Sequence, residues 1–261
     1  MAHLARGGAG DGEHVTGQER TPKGSPRGGR YRYKRTTEPT VDVASASLPD
    51  ALSELLPPGT SNTWLKIAPL LPASAYLTGG TALTAHLHHR VSRDLDIFLE
   101  RPADLGTLWA QFQAVGDAHS SYRDDSTLNC TLDDTKVQVL EASSQKMVSE
   151  FTIIGGIRVA GVADILATKV AVVAKRGELR DYFDIMTIEQ SEGLTAEEGI
   201  NLAIRKYSPD NLGMFVLTTL RALSHFDDVE NDSSLPVPKE VIVRYWMKRR
   251  PSLRRHIESF G

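Results

Sequence analysis

The sequence predicts an α+β fold, with a mixed sheet in the first half of the ordered chain and helices in the second. Three observations predict it. Between residues 74 and 160 most apolar runs are short, and they alternate every second residue or break at glycine, which is the habit of strands. From Val162 onward the apolar spacing switches to three and four, the period of packed helices. The 261 residues, 40% hydrophobic and 24% charged, are an ordinary globular mixture large enough for one big domain or two modest ones.

The first forty residues are rich in Gly, Arg, Pro, Thr and Lys and almost free of aliphatic side chains. Such a segment buries too little apolar surface to offset its ordering entropy, so residues 1–40 are expected to be a disordered basic tail. "RGGRYRYKR" sets two tyrosines among cations, as RNA-contacting tails do; a plain solubilising extension has the same composition. An α/β domain is expected over 41–160 and a helical domain completing the site over 161–261.

"LPDALSELLP" and "NTWLKIAPLLP" have helical spacing and proline stops. "SAYLT" reads as a buried strand ended by Gly79 and Gly80. "TALTAHLHH" follows as a helix and "RDLDIFLE" as an alternating strand. "PADLGTLWAQFQAV" reads as a helix opened by Pro102. "TLNCTLDDTKVQVLEA" reads as a hairpin turning at Asp133–Asp134, and "FTIIGGIRVAG" as one more short strand. "ADILATKVAVVAKRG" is a helix closed by Gly177. Four more helical patterns follow: "RDYFDIMTIEQ", "TAEEGINLAIRKY", "PDNLGMFVLTTLRALSHF" and "PKEVIVRYWMKRR".

Several classes are excluded. No apolar run approaches the ~18 residues of a membrane span, and the polar N-terminus is no secretory signal. A single cysteine, Cys130, rules out an internal disulfide framework and a cysteine-rich zinc site. A buried thiol in a reducing cytoplasm is the expectation. The net charge of −3 does not by itself point to nucleic acid.

Chemistry concentrates in "YLTGGTALTAHLHHRVSRDLDIFL", Tyr76 to Leu99. A strand that ends in Gly79–Gly80 and feeds a helix offers backbone N–H groups and the helix dipole to phosphate oxygens, with the Thr81 hydroxyl as a further donor. Residues two apart on a strand share a face, so Asp94 and Asp96 project together while Leu95 and Ile97 turn to the core. Paired carboxylates repel unless a cation neutralises them, and Mg²⁺ (or Mn²⁺) bound by both would also grip the triphosphate of an NTP. Arg90 either clamps a phosphate or pins the turn to a carboxylate. His86, His88 and His89 lack a second ligand cluster and read as helix-surface or turn residues.

A second cluster lies in "ATKVAVVAKRGELRDYFDI". Lys169 and Arg176 are two helical turns apart and share a face; Asp181 and Asp184 share the face of the next helix. Lys169 would bind nucleotide phosphates as a point charge, with Arg176 beside it. Asp184 would hold that lysine or help deprotonate the acceptor.

These strings resemble a known family. Thirteen residues, 81 to 93, separate Gly80 from Asp94, a spacing seen in the polymerase-β-like nucleotidyltransferase superfamily. Gly79 to Leu83, His89–Arg90, then Ser92, Asp94, Asp96 and Phe98 closely resemble the AbiEii/AbiGii (MenT-like) nucleotidyltransferase toxins. Lys169, Arg176–Gly177, Arg180, Asp181 and Asp184 match the family's second motif. The likeness covers about 60 to 190 well and the C-terminal helices loosely. It implies a polymerase-β-like domain with a mixed sheet followed by a helical domain. It also implies transfer of a nucleoside monophosphate from an NTP, in the better-known members to the 3′ end of tRNA; the alternatives are nucleotidylation of a protein or small molecule, or a catalytically silent nucleotide- or partner-binding module. A cognate antitoxin partner and a monomeric toxin are further expectations. A phosphate on Ser92, which shares the face of Asp94, would place about two negative charges beside the metal site, an off-switch.

The pattern departs in one place. Many superfamily members carry a third carboxylate on a later strand, and "KVQVLEA" puts Lys136, Gln138 and Leu140 on one face. If that face looks into the site the third carboxylate is absent; Glu141 substitutes only with a register shift or at the strand end. One firmly held cation is expected, the second left open. Between Lys239 and Arg255 stand seven Lys/Arg and one Glu, with Tyr245 and Trp246 among them. That helix either meets RNA phosphates or, for Trp246, only packs in the core.

Overall fold

The computed structural model of the protein describes residues 47–258. The expected basic tail, residues 1–40, lies outside them. The chain runs α1 (Asp50–Ser53), α2 (Pro58–Ile67), β1 (Ala75–Thr78), α3 (Gly79–Leu87), β2 (Leu95–Leu99) and α4 (Leu105–Val115). Then come β3 (Ala118–Arg123), β4 (Thr127–Leu132), β5 (Thr135–Glu141), β6 (Phe151–Ile154) and β7 (Ile157–Ala160). The helices α5 (Val162–Arg176), α6 (Leu179–Glu192), α7 (Ala196–Tyr207), α8 (Leu212–Ala222) and α9 (Lys239–Glu258) complete it.

The strands form one mixed sheet in the order β3-β4-β5-β2-β1-β7-β6. β2 lies antiparallel to β1 and parallel to β5, so it sits inside the sheet with a neighbour on each side. Its alternation is the predicted one: Leu95, Ile97 and Leu99 are fully buried and the residues between them face the other way. Val137 and Val139 of β5 are buried in the same layer. The β4–β5 hairpin turns at Asp133 and Asp134, both left-handed (φ 48° and 64°), the geometry of a two-residue type I′ turn.

Four elements differ from the sequence reading. "FTIIGGIRVAG" is a hairpin, β6 and β7, because Gly155 and Gly156 both take positive φ and reverse the chain. α4 opens at Leu105 rather than at Pro102: the Asp104 carboxylate accepts from Gly106 N (2.9 Å) and Thr107 N (3.1 Å), and that cap sets the start. β3 was not predicted; its residues are mostly exposed at the sheet edge, so no apolar alternation marks it. The helix around "LPDALSELLP" shrinks to a single turn.

The core joins sheet and helices. α5 is its axis, packing against α3, α6, α7 and α8. Ile165, Leu166, Val170 and Val173 of α5 are all buried. α7 lies close because Gly199 has no side chain: a Cβ there would come within 2.9 Å of Leu166 Cγ and of Val170 Cγ2. Gly199→Ala tests this packing. Alanine gains about 1 kcal/mol of helix propensity, while forced overpacking costs about 1–3 kcal/mol. The clash is expected to win, lowering the urea midpoint with an unchanged m-value.

Candidate active site

The run from α3 through its following loop to β2 delivers most of the predicted residues, and hydroxyls fix the loop backbone. Thr84 Oγ1 donates to the Arg90 carbonyl (3.0 Å), Thr60 Oγ1 to the Arg93 carbonyl (3.0 Å) and Thr81 Oγ1 to the Asp94 carbonyl (2.5 Å). Thr81 Oγ1 also lies 2.8 Å from Ser92 Oγ. Its one proton is committed to the carbonyl, so it accepts from Ser92. This corrects the sequence reading of Thr81: its hydroxyl is buried and tied to the loop, not offered to a phosphate.

The glycine pair serves close approach. Gly79 takes φ 73°, and a Cβ there would overlap Asp96 Oδ2. A Cβ on Gly80 would sit 2.5 Å from an Arg90 guanidinium nitrogen. The first turn of α3 is thus bracketed by one acid and one base of the same chain. Thr78 lies opposite Asp96 in the β1–β2 register, and no side chain caps the α3 N-terminus. The Thr78 hydroxyl is buried without a hydrogen-bond partner among the described residues.

A cavity of about 720 Å³ opens over this face, lined by Gly79, Gly80, Arg90, Ser92, Asp94, Asp96, Lys169 and Arg176, among others. Asp94 and Asp96 both reach it from the β2 segment. Neither carboxylate accepts a hydrogen bond from the described residues. Burial, with the charge of Asp94 beside it, pushes the Asp96 carboxyl up against the opposing pull of Lys169. Two unpartnered carboxylates on one cavity wall are a donor set suited to a hard divalent cation. No third His, Cys, Asp or Glu joins them among the described residues. Gln138 occupies the position opposite Asp96 on β5, lines the cavity and donates Nε2 to Asn129 Oδ1 (2.9 Å). Glu141 pairs with Leu99 at the far end of the strand, away from the cavity. The face question therefore resolves toward glutamine.

Behind the cavity wall lies a buried ionic knot. Asp184, fully buried, accepts from Arg90 Nε (2.7 Å) and Nη2 (2.9 Å) and from His89 Nε2 (2.8 Å), and pairs with Lys169 Nζ at 2.6 Å. Lys169 Nζ also donates to Asp181 Oδ1 (2.9 Å), which Arg176 meets from the other side (2.9 Å to Oδ2). Burial alone would raise the Asp184 carboxyl, but Lys169, Arg90 and His89 outweigh it and hold it well below the usual carboxylate range. Burial would lower the Lys169 amine; Asp184 and Asp181 outweigh it and keep it charged.

Three readings change accordingly. Asp184 does not line the cavity and is saturated by four donor contacts, so of its two roles only holding the lysine survives. Arg90 pins the turn to that carboxylate, although its guanidinium still borders the cavity. His89 is no surface residue: it is buried and stacked on Phe183 (5.7 Å between centroids), anchoring Asp184. Trp246 is fully buried and donates to the Tyr182 carbonyl, so it packs in the core. Arg249 of the same helix is tied to Glu189 and Glu197. Sequence reasoning missed Thr60, Thr78, Arg93 and Asp232 at the cavity wall. No pattern in the chain announces them, because they arrive from separate elements.

With that geometry in place, the family can be tested. The profile described as "Nucleotidyl transferase AbiEii toxin, Type IV TA system" matches residues 67–235, well over half the chain. The chain belongs to the AbiEii nucleotidyltransferase toxin family. The match runs through both motifs and on to α8 and the loop carrying Asp232. Protein aq_aa25 of Aquifex aeolicus strain VF5, itself uncharacterized, is 27% identical over 188 residues, covering 71% of this chain and 87% of that protein. The crystal structure of JHP933 from Helicobacter pylori is similar at TM-score 0.47 and 21% identity, covering 82% of this AbiEii chain and 96% of the other. That of ANT(2")-Ia in complex with adenylyl-2"-tobramycin gives TM-score 0.39 and 17% identity, covering 54% and 91%.

The ionic knot makes a pH prediction. Asp184 and Asp181 are both lowered, so between folded and unfolded values the unfolded chain binds more protons. Their stabilisation is fully present above pH ~4, the unfolded value, and is lost as the pH falls below it. Asp184→Asn is expected to lose about 3–5 kcal/mol at neutral pH, because it strands buried cations. It is also expected to flatten the acid limb of the stability curve, measured by urea unfolding from neutral pH downward.

Proposed function

We propose that this AbiEii protein transfers a nucleoside monophosphate from an NTP to the 3′ hydroxyl of an RNA, tRNA foremost. The observation that supports the reading most is one shared cavity wall: two unpartnered carboxylates, the uncapped N-terminus of α3 and the amine of Lys169.

The chain's own groups divide the work. The amides of the first α3 turn, freed by Gly79 and Gly80, seat phosphate oxygens at the positive end of the helix dipole. Lys169 has three N–H donors and gives two to Asp181 and Asp184, leaving the third for the nucleotide. Arg176, half exposed, borders the same space. Asp94 and Asp96 would hold Mg²⁺ or Mn²⁺. That cation, when bound, would neutralise their charge and that of the phosphates and activate the attacking oxygen. The RNA hydroxyl oxygen forms a bond to the α-phosphorus. The bond from that phosphorus to the bridging oxygen breaks, pyrophosphate leaves, and the hydroxyl proton passes to solvent. Positioning and preorganised charge supply most of the acceleration.

Ser92 sits at the cavity wall, 7% exposed, with its hydroxyl on Thr81. A phosphate there would add about two negative charges next to Asp94 and close the site to NTP. In this reading the cognate antitoxin imposes it. Mass spectrometry of the protein co-expressed with its genomic neighbour is expected to find Ser92 phosphorylated; an unmodified Ser92 in every preparation removes the switch.

Transfer is tested directly with α-phosphate-labelled NTP and bulk tRNA. The wild type is expected to label the tRNA, and Asp94→Ala and Asp96→Ala to lose at least about a hundredfold. Chelation should abolish labelling and Mg²⁺ or Mn²⁺ restore it. Transfer by Asp94→Ala at the wild-type rate would remove the proposal.

A further inference from the structure

Six cations line the cavity: Arg90, Arg93, Lys136, Lys169, Arg176 and Arg180. Four of them are matched by acids of this chain. Arg90 meets Asp184, Lys169 meets Asp181 and Asp184, Arg176 meets Asp181, and Arg180 meets Glu178 at 2.7 Å. Arg93 and Lys136 have no carboxylate oxygen within 4.0 Å among the described residues. Both are exposed, unlike buried Lys169.

Their place in the sheet gives the difference a meaning. β2 has β1 on one side and β5 on the other. The β1 side carries Thr78 and the Gly79–Gly80 turn of α3, against which α5, the helix of Lys169, packs. The β5 side carries Lys136 and Gln138. The parallel register sets Leu95 against Val137 and Asp96 against Gln138. By the same alternation Lys136 stands beside Asp94. Arg93 precedes Asp94 directly, with its carbonyl fixed by Thr60 of α2. Besides Asp94 itself, the cavity carries Asp133, paired with Lys66, and Asp134 of the hairpin turn.

In-line displacement requires the entering oxygen to approach opposite the departing pyrophosphate. With the triphosphate seated on the β1 side, the acceptor must arrive over β5. We infer that Arg93 and Lys136 form the acceptor subsite and grip a backbone phosphate next to the reacting 3′ end. This deepens the proposed function and rests on it. The subsite selects a phosphate-bearing acceptor, a nucleic-acid strand, over a protein side chain or a neutral small molecule. Neither of those would match two unpaired cations beside the carboxylates.

Binding of 5′-labelled, deacylated bulk tRNA, titrated over a range of salt, tests this subsite. Binding of a fluorescent NTP analogue is followed in parallel. Arg93→Ala and Lys136→Ala are each expected to raise the tRNA Kd about tenfold. Each should also reduce the salt slope by about 0.7, one single-strand phosphate contact. NTP affinity should stay within about twofold. Lys136→Arg should keep most of the tRNA affinity, since the contact is one of charge. If the wild type binds tRNA and both alanine variants match it in Kd and slope, the subsite is wrong and the transferase reading stands. If the wild type binds the NTP analogue but no tRNA, and instead labels protein, the RNA reading falls and takes the subsite with it.

Discussion

The Asp184 carboxylate is the point on which the site depends. Four donor contacts from three residues converge on it with no exposure to water. Two of those residues, His89 and Arg90, come from the loop after α3; the third, Lys169, comes from α5. One buried anion therefore joins the strand-and-turn part of the chain to the helices that follow. A buried charge so surrounded is costly to strand and need not add net stability over an apolar contact. Its value here is geometric. It fixes the lysine amine at the cavity wall, and it holds the Arg90 guanidinium over Gly80.

The same interaction explains the glycine pair differently from a simple phosphate seat. Glycine at 79 and 80 lets Asp96 and Arg90 pack directly on the helix start, where any Cβ would collide. No side chain caps the amides of α3: Thr81 holds Asp94 and Arg90 holds Asp184, while the Thr78 hydroxyl is buried without a partner among the described residues. Loop and helix thus divide polar groups into two classes. Those that position are saturated within the protein. The carboxylates of Asp94 and Asp96 are left without partners, and Lys169 keeps one of its three donors uncommitted.

Much of this was legible in the chain. Period-2 alternation in "RDLDIFLE" put Asp94 and Asp96 on one face, and in "KVQVLEA" it put Gln138 on the face of Lys136 and Leu140; the register and the cavity lining decide that this second face meets the site. The helix ending at Gly177 was readable because its left-handed close (φ 61°) favours glycine. What was not legible depends on contacts distant in sequence. His89 and Asp184 are 95 residues apart, and nothing local distinguishes a buried anchoring histidine from a turn histidine. Thr60 and Arg93 meet across 33 residues. Strand β3 escaped because an edge strand exposed to water needs no apolar alternation.

The glutamine at 138 bears on how much charge the site can hold. Burial, with the charge of Asp94 added to it, already raises the Asp96 carboxyl. A third carboxylate in register with Asp96 would add a further like charge and demand a second divalent cation to offset it. A neutral amide there, with its nitrogen bonded to Asn129, leaves two negative charges, which one divalent cation balances. Lys136, one step along the same face, adds an exposed positive charge beside Asp94. The sheet thus trades an acidic residue for a neutral one and a fixed positive charge. That trade leaves two carboxylates, a neutral amide and one exposed cation along a single face of the sheet.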